Sequence, residues 1–290
     1  MSLKSSLLSV VQGGIGVSMR LYRRSPLYPR LGQALGKTLA VVTRFVGPKN
    51  VIKEIGGVKF DLDMSEVIDS SLFYSGTFEA DSEKTIVAAL KPGMTAVDVG
   101  ANFGYHTFRM AKAVGSSGKV VAIEPTAWAY NKLQRNASLN DFTNIEPLKL
   151  GISDTDLGPT EVSFQSSYRL DGMDANAKEV VPLLTLDTIA QTYNVGRIDF
   201  IKIDVDGFEG KVIRGARQTL EAYHPVLFFE ISPSLMADNG DDSNELVGTL
   251  LKLGYTLKTE AAEPVPDIDT FLAKVGVGVT VNMLDTPAAG

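Results

Sequence analysis

The sequence predicts an α/β fold, a doubly wound sheet of seven mostly parallel strands with an N-terminal helical extension. Three observations carry that expectation. From about residue 55, strand-like apolar runs alternate with helix-like stretches, the rhythm of a parallel sheet covered by helices on both faces. Residues 96–104, Ala-Val-Asp-Val-Gly-Ala-Asn-Phe-Gly, run an apolar strand into a glycine-punctuated turn before a helical stretch. In a parallel sheet that turn is where a nucleotide-like ligand lies. Two strand-like segments near the end, 255–258 and 275–282, suit an antiparallel pair that closes one side.

Residues 58–62 alternate apolar and polar as a short strand does. A helix over 82–90 is broken by Lys91-Pro92-Gly93, and 95–99 is a buried strand. The helix 105–114 ends at Gly115-Ser116-Ser117-Gly118. Residues 120–123 form the next strand, followed by a helix over 128–140 and a strand near 146–150. A helix at 183–193 leads to a strand at 200–203, a helix at 208–223, a strand at 226–231 and a helix at 244–253. Between these, 154–182 reads as a long irregular loop, of a length that in a compact domain is usually functional or disordered.

The composition describes a globular chain: 290 residues, 44% hydrophobic, formal charge −6. It has no cysteine, which excludes disulfides, thiolate metal sites and a cysteine nucleophile and fits a reducing, cytoplasmic compartment. No apolar run reaches the roughly 20 residues that span a bilayer. Residues 1–53 hold nine basic residues and no acid, whereas the remainder holds 19 basic against 34 acidic residues. The expected division is therefore a basic helical extension over 1–54 and a catalytic domain over 55–290. Leu31, Leu35, Leu39 and Val42 recur at helical spacing, which suits either a helix packed on the domain or on a second copy, or a peripheral membrane contact.

Asp98, just before the glycine turn, separates two ligands. A carboxylate there repels the pyrophosphate of a dinucleotide but favours the ammonium and sulfonium of S-adenosylmethionine. The third glycine of G-x-G-x-x-G is also missing, since Tyr105-His106-Thr107 follows Gly104. Glu124 ends the second strand of the alternation, where an acid accepts hydrogen bonds from ribose hydroxyls. Asp154 follows the third, where an adenine amino group would lie; a turn or N-cap residue is the alternative. Lys202 and Asp204 share one face of an otherwise apolar strand, a costly placement unless paired or functional. Asp204, at its carboxyl end, suits taking a proton from a substrate hydroxyl; a structural Lys202–Asp204 ion pair is the alternative. His106 opens a helix, where the positive dipole end favours neutral imidazole and hence a second candidate base.

Val97-Asp98-Val99-Gly100-Ala101-Asn102, Gly104-Tyr105, Ala122-Ile123-Glu124-Pro125, Thr185-Leu186-Asp187 and Ile201-Lys202-Ile203-Asp204-Val205-Asp206-Gly207 occur in that order. Together with 73–79, Phe-Tyr-Ser-Gly-Thr-Phe-Glu, they resemble the FkbM family of S-adenosylmethionine-dependent methyltransferases. The likeness covers roughly 70–235; it departs at Asp206, where that family usually carries Glu. It implies a Rossmann-like class I methyltransferase fold, S-adenosylmethionine as cofactor, and O-methylation of sugar hydroxyls on polysaccharides, glycolipids or natural products. It further implies that Asp98, Gly100, Asn102, Gly104 and Glu124 bind the donor, and the adjoining Ala101, Tyr105, Pro125, Ile152 and Asp154 are assigned to the same site. Asp204, His106 and Lys202 are the expected catalytic residues. Substrate contacts are expected at Tyr168, whose ring offers a flat face to a sugar, at Arg169, a grip for phosphate or carboxylate, and at Asp206 and Glu209. No metal-ligand set is read from the sequence.

Two other functions fit the chain less well. An NAD-dependent sugar oxidoreductase is opposed by Asp98 and the missing glycine, and a non-catalytic adapter by the intact set of cofactor residues. A nucleic-acid substrate is opposed by the acidity of the domain and the lack of an (N/D)-P-P-(Y/F) motif.

Overall fold

A computed structural model describes residues 50–165, 176–259, 262–267, 270 and 281–287. The described residues form two compact units, one of 50–78, 165, 176 and 177, the other of 79–164 and 178 onward.

In the first unit, β1 (Asn50–Ile55) and β2 (Val58–Asp63) pair antiparallel from Asn50↔Asp63 to Ile55↔Val58. Gly56 and Gly57, both at positive φ, make the two-residue hairpin turn. Helix α1 (Val67–Ser75) follows and ends on Gly76 in the left-handed region. Residues 50–54, expected in the helical extension, are strand; residues 1–49, with the rest of that extension, lie outside the described residues.

The second unit runs α2 (Ala80–Ala89), β3 (Thr95–Val99), α3 (Tyr105–Val114), β4 (Lys119–Ile123), α4 (Ala127–Ser138), β5 (Ile145–Leu148), β6 (Gly151–Ile152), β7 (Gly158–Gln165), β8 (Asn176–Leu184) and α5 (Leu186–Thr192). It continues with β9 (Phe200–Ile203), α6 (Glu209–Gly215), α7 (Arg217–Tyr223), β10 (Val226–Ile231), α8 (Pro233–Asp238), α9 (Ser243–Lys252), β11 (Tyr255–Thr259), β12 (Pro264–Val265) and β13 (Val281–Pro287). Its main sheet has the order β12-β11-β13-β10-β9-β3-β4-β5. Five strands, β5 to β10 in that order, are parallel; β13 is antiparallel to both β10 and β11. The chain order reverses at β3, between β4 and β9, and the crevice at the carboxyl ends there is the ligand position of open α/β sheets.

Strand parity divides the two faces. Val97, Val99, Val121, Ile123, Ile201, Ile203, Leu227 and Phe229 pack with Val212 and Ile213 of α6 and Leu246 and Leu250 of α9. Ala96, Val120, Phe200 and Phe228 face the other way, against Ile86 of α2 and Met110, Ala111 and Val114 of α3. Asp98, Lys202 and Glu230 share the second parity.

The structure corrects the expected elements in four places. The supposed loop 154–182 carries β7 and β8, which form a second sheet of order β6-β8-β7; Pro159 and Pro182, which lack a ladder N–H, disguise them. Because β8 continues to Leu184, the helix expected from 183 starts only at Leu186, behind its cap Thr185, whose hydroxyl accepts the Thr188 N–H at 3.1 Å. The helix expected over 208–223 is two helices parted at Ala216, where a side chain on the preceding Gly215 would sit 2.2 Å from the Ser153 carbonyl. Among the described residues the main sheet has eight strands rather than seven, because β12 adds to its edge; its closing strand at Val281–Pro287 runs past the expected end at 282, and 275–280 of that expectation lie outside the described residues.

Candidate active site

The first site element is the turn after β3. Gly100 (φ 77°), Asn102 (φ 49°) and Gly104 (φ 95°) are all left-handed. Gly100 has a second reason to lack a side chain: a Cβ there would lie 1.9 Å from the Asp204 carbonyl oxygen. The N–H groups of Gly100 and Ala101 both donate to the Ile123 carbonyl at 3.0 Å, which lashes the turn to β4. Glu124, 6% exposed, completes the clasp. One of its oxygens accepts the Asn102 N–H at 2.9 Å; the other accepts the Thr126 N–H at 2.9 Å and the Thr126 hydroxyl at 2.6 Å. Burial pushes its pKa upward against those hydrogen bonds.

Beneath the turn lies a buried ion network. Asp98 is fully buried and accepts the Thr107 hydroxyl at 2.6 Å. Its neighbour across the β3–β9 ladder is Lys202, whose ammonium lies 3.3 Å from Asp98, 3.3 Å from Asp204 and 3.0 Å from the Gly100 carbonyl, to which it donates. Burial opposes the lysine charge, but Asp98 and then Asp204 outweigh it and hold the Lys202 pKa above its ordinary value. The charge of Asp98, expected to meet a cationic ligand, is thus met by the protein's own ammonium. Asp204, 37% exposed, is the partner that reaches the surface. Burial works to raise its pKa, yet Lys202 and hydrogen bonding hold it below the ordinary carboxylate value.

The second element is the turn after β9. Asp206 (φ 49°) and Gly207 (φ 95°) are left-handed. Glu209, 1% exposed at the start of α6, accepts the Val205 N–H at 3.3 Å and the Gly207 N–H at 3.1 Å. Burial pushes its pKa up to about 7. Asp206 is exposed, and its carbonyl accepts from the Asn239 side-chain amide at 3.1 Å.

Other expected residues fall in several environments. His106 Nε2 lies 3.3 Å from Glu79, itself left-handed at φ 49°, and its Nδ1 is buried without a hydrogen-bond partner among the described residues. Tyr105 turns its hydroxyl to Glu83 at 2.5 Å. Asp154 is bound to Arg214 at 3.0 Å, and Arg214 in turn to Asp241 at 2.8 Å. Gly100, Pro125, Ile152 and Ser153 line a cavity of about 150 Å³ with Val205 and Phe208, on the apolar parity face of the sheet. Tyr168 and Arg169 lie outside the described residues.

Sequence reasoning missed Glu230. It stands two residues after Phe228, the register partner of Lys202, and so beside Asp204 on the same face. Burial and the Asp204 charge push the Glu230 pKa to about 9. The available signal was a lone acid in the apolar run 226–231.

A family model described as "Methyltransferase FkbM domain" matches residues 98–257, more than half of the chain, from the buried aspartate of β3 to β11. The chain belongs to the FkbM methyltransferase family. Membership makes it an S-adenosylmethionine-dependent methyltransferase, and the main sheet is the parallel core expected of that fold. Among curated relatives, the methyltransferase sdnD of Sordaria araneosa is 23% identical over 62% of this chain and 81% of its own length. The hexuronic acid methyltransferase AglP of Haloferax volcanii is 24% identical over 45% of this chain, which spans about half (53%) of that relative. Among solved structures, the FkbM methyltransferase of Methylobacillus flagellatus aligns at a TM-score of 0.44 and 19% identity, covering 68% of this chain and 44% of that one.

Proposed function

We propose that this FkbM-family chain is an O-methyltransferase whose acceptor is a sugar hydroxyl of a polysaccharide, glycolipid or glycosylated natural product. The observation that carries this reading is the half-exposed Asp204 carboxylate, held 3.3 Å from Lys202 at the carboxyl end of β9. A carboxylate so placed can accept a hydroxyl proton at the edge of the donor crevice. The hexuronic acid relative supports a carbohydrate acceptor.

The residues present fit S-adenosylmethionine. Gly100 leaves its turn without side-chain bulk, and the cavity beside it has the apolar walls of Ile123, Leu150, Ile152 and Phe208, suited to a flat base. Glu124 stands next to that cavity with acceptor capacity for ribose hydroxyls. Bound there, the donor supplies a methyl group on a sulfonium sulfur. Asp204 takes up the acceptor's proton; Lys202 keeps Asp204 ionised and oriented; His106, braced by Glu79, borders the same charges. Positioning of acceptor and methyl in line supplies most of the barrier reduction, on the order of 7–11 kcal/mol, against roughly 10²–10⁴-fold from a base.

Among the described residues, no helix is long and apolar enough to cross a membrane. The basic segment 1–53 is proposed as the part that meets a membrane surface or a second copy of the chain in the cytoplasm; its deletion should release the protein from the membrane fraction or reduce its size in solution.

The test is calorimetry with S-adenosylmethionine, S-adenosylhomocysteine and NAD, followed by labelled methyl transfer to neutral and uronate-containing oligosaccharides. Binding of both sulfur compounds but not NAD, with label recovered as a sugar methyl ether, is expected. Binding of NAD alone, or label recovered on nitrogen or carbon, overturns the reading.

A further inference from the structure

Glu230 has no part in the scheme above, yet strand register sets it beside Asp204, the proton acceptor of that scheme. We propose that Glu230 is a positioning residue: its carboxyl group donates the hydrogen bond that joins it to Asp204 and so holds that carboxylate toward the acceptor hydroxyl. This rests on the reading of Asp204 as the base.

The geometry comes from the ladder. Lys202 and Phe228 are register partners on β9 and β10, so Asp204 and Glu230, each two residues further, leave the same face side by side at the strand ends. That register brings the two carboxyl groups together, where one can donate to the other. Two carboxylates cannot share a hydrogen bond unless one keeps a proton, the arrangement of any closely spaced carboxyl pair.

The surroundings decide which one keeps it. Asp204 faces the Lys202 ammonium at 3.3 Å and feels His106. Glu230 faces Asp204, Glu79 and Asp206, all acidic. Asp204 is therefore the ionised member and Glu230 the protonated one, in keeping with a Glu230 pKa of about 9.

During transfer the acceptor O–H bond breaks and its proton lands on Asp204. The oxygen's electron pair forms the new O–CH₃ bond, and the pair of the broken S–C bond stays on sulfur, which becomes a neutral thioether. The proton then leaves through the exposed edge of Asp204. Glu230 keeps its own proton throughout and only orients. Once Glu230 ionises, the hydrogen bond is replaced by repulsion between two carboxylates and the base loses its orientation.

The experiment has one arm that needs no acceptor. Infrared difference spectra of wild type minus Glu230→Gln at pH 7 should show a protonated carboxyl stretch, which disappears between pH 8 and 10. Its absence at pH 7 overturns the proposal whatever the enzyme's substrate. The second arm uses the oligosaccharide that takes up label in the transfer assay. Glu230→Ala should lower kcat by about ten- to a hundredfold with little change in KM. Glu230→Gln, which keeps a donor toward Asp204, should restore kcat to within about threefold of wild type, and the wild-type loss of activity near pH 9 should vanish. A Glu230→Gln variant as slow as Glu230→Ala, or one that keeps the alkaline limb, overturns the proposal. Should no sugar accept methyl while the carboxyl band is present, the acceptor assignment fails and the carboxyl pair stands.

Discussion

The turns after β3 and β9 are built alike and charged differently. Each contains a non-glycine residue at φ 49°, Asn102 or Asp206, and a glycine at φ 95°, Gly104 or Gly207. Each is clasped by a buried glutamate that accepts its backbone N–H groups, Glu124 in the first and Glu209 in the second. Beneath the first turn the acid is cancelled, since Asp98 is buried against Lys202. Around the second, Asp204, Asp206 and Glu230 gather with only a share of that same lysine. The difference separates two tasks. The neutral turn shapes a rigid cradle beside an apolar cavity, whereas the acidic turn holds charge poised for a proton.

Lys202 joins the two turns, so its loss should have the largest effect. Lys202→Met leaves Asp98 buried without its counter-charge, which typically costs about 3–5 kcal/mol. Urea denaturation should show that loss, and the double variant Asp98→Asn with Lys202→Met should recover a good part of it. An additive double variant would mean the two side chains do not act as a pair.

Gly100→Ala attacks the first turn alone. The new Cβ meets the Asp204 carbonyl at a φ of 77°, so backbone has to move. About 3 kcal/mol of destabilisation is expected, roughly 6–12 °C in Tm for a chain of this size. Binding of S-adenosylhomocysteine, read by calorimetry, should be lost with it. Glu124→Gln is milder. It keeps an acceptor for Asn102 but removes the carboxylate, so S-adenosylhomocysteine binding should weaken about tenfold, the worth of one charge-assisted hydrogen bond.

The smallest effect, and the one that isolates the second turn, is a pH slope. Glu209 keeps a proton in the folded protein up to about pH 7, while the unfolded chain releases it near the ordinary glutamate value. The folded state thus holds more protons between about pH 4.5 and 7, and stability falls as pH rises through that window. The slope from this group is at most about 1.4 kcal/mol per pH unit. Glu209→Gln should remove it, so the Tm of the variant relative to wild type should climb from pH 4.5 to 7 and level off above. A constant difference across that range would show Glu209 ionised throughout, and the two clasping glutamates would then differ less than their surroundings indicate.

Much of this was legible in the chain itself. Residues 95–99, 105–114, 200–203 and 226–231 were placed as the structure has them, because apolar runs bounded by Gly, Pro and acid carry their own ends. The glycine turn, Glu124 at the neighbouring strand end and the Lys202–Asp204 pair were read from spacing alone, since period-two alternation and strand–turn–helix succession are local properties. The second sheet was hidden because a strand containing proline is recognised only once its ladder partner is known. The Arg214 partner of Asp154, 60 residues away, is invisible in sequence.

The sequence by itself determined the sheet, the turn that opens it and the kind of ligand such a turn admits, all written in neighbouring residues. Only the tertiary structure decided the surroundings of each acid. Asp98, Asp204, Glu124, Glu209 and Glu230 are alike as carboxyl groups. Their differences come from strand register, which sets Lys202 between two of them and Glu230 beside the second, and from burial, which pushes Glu124, Glu209 and Glu230 upward.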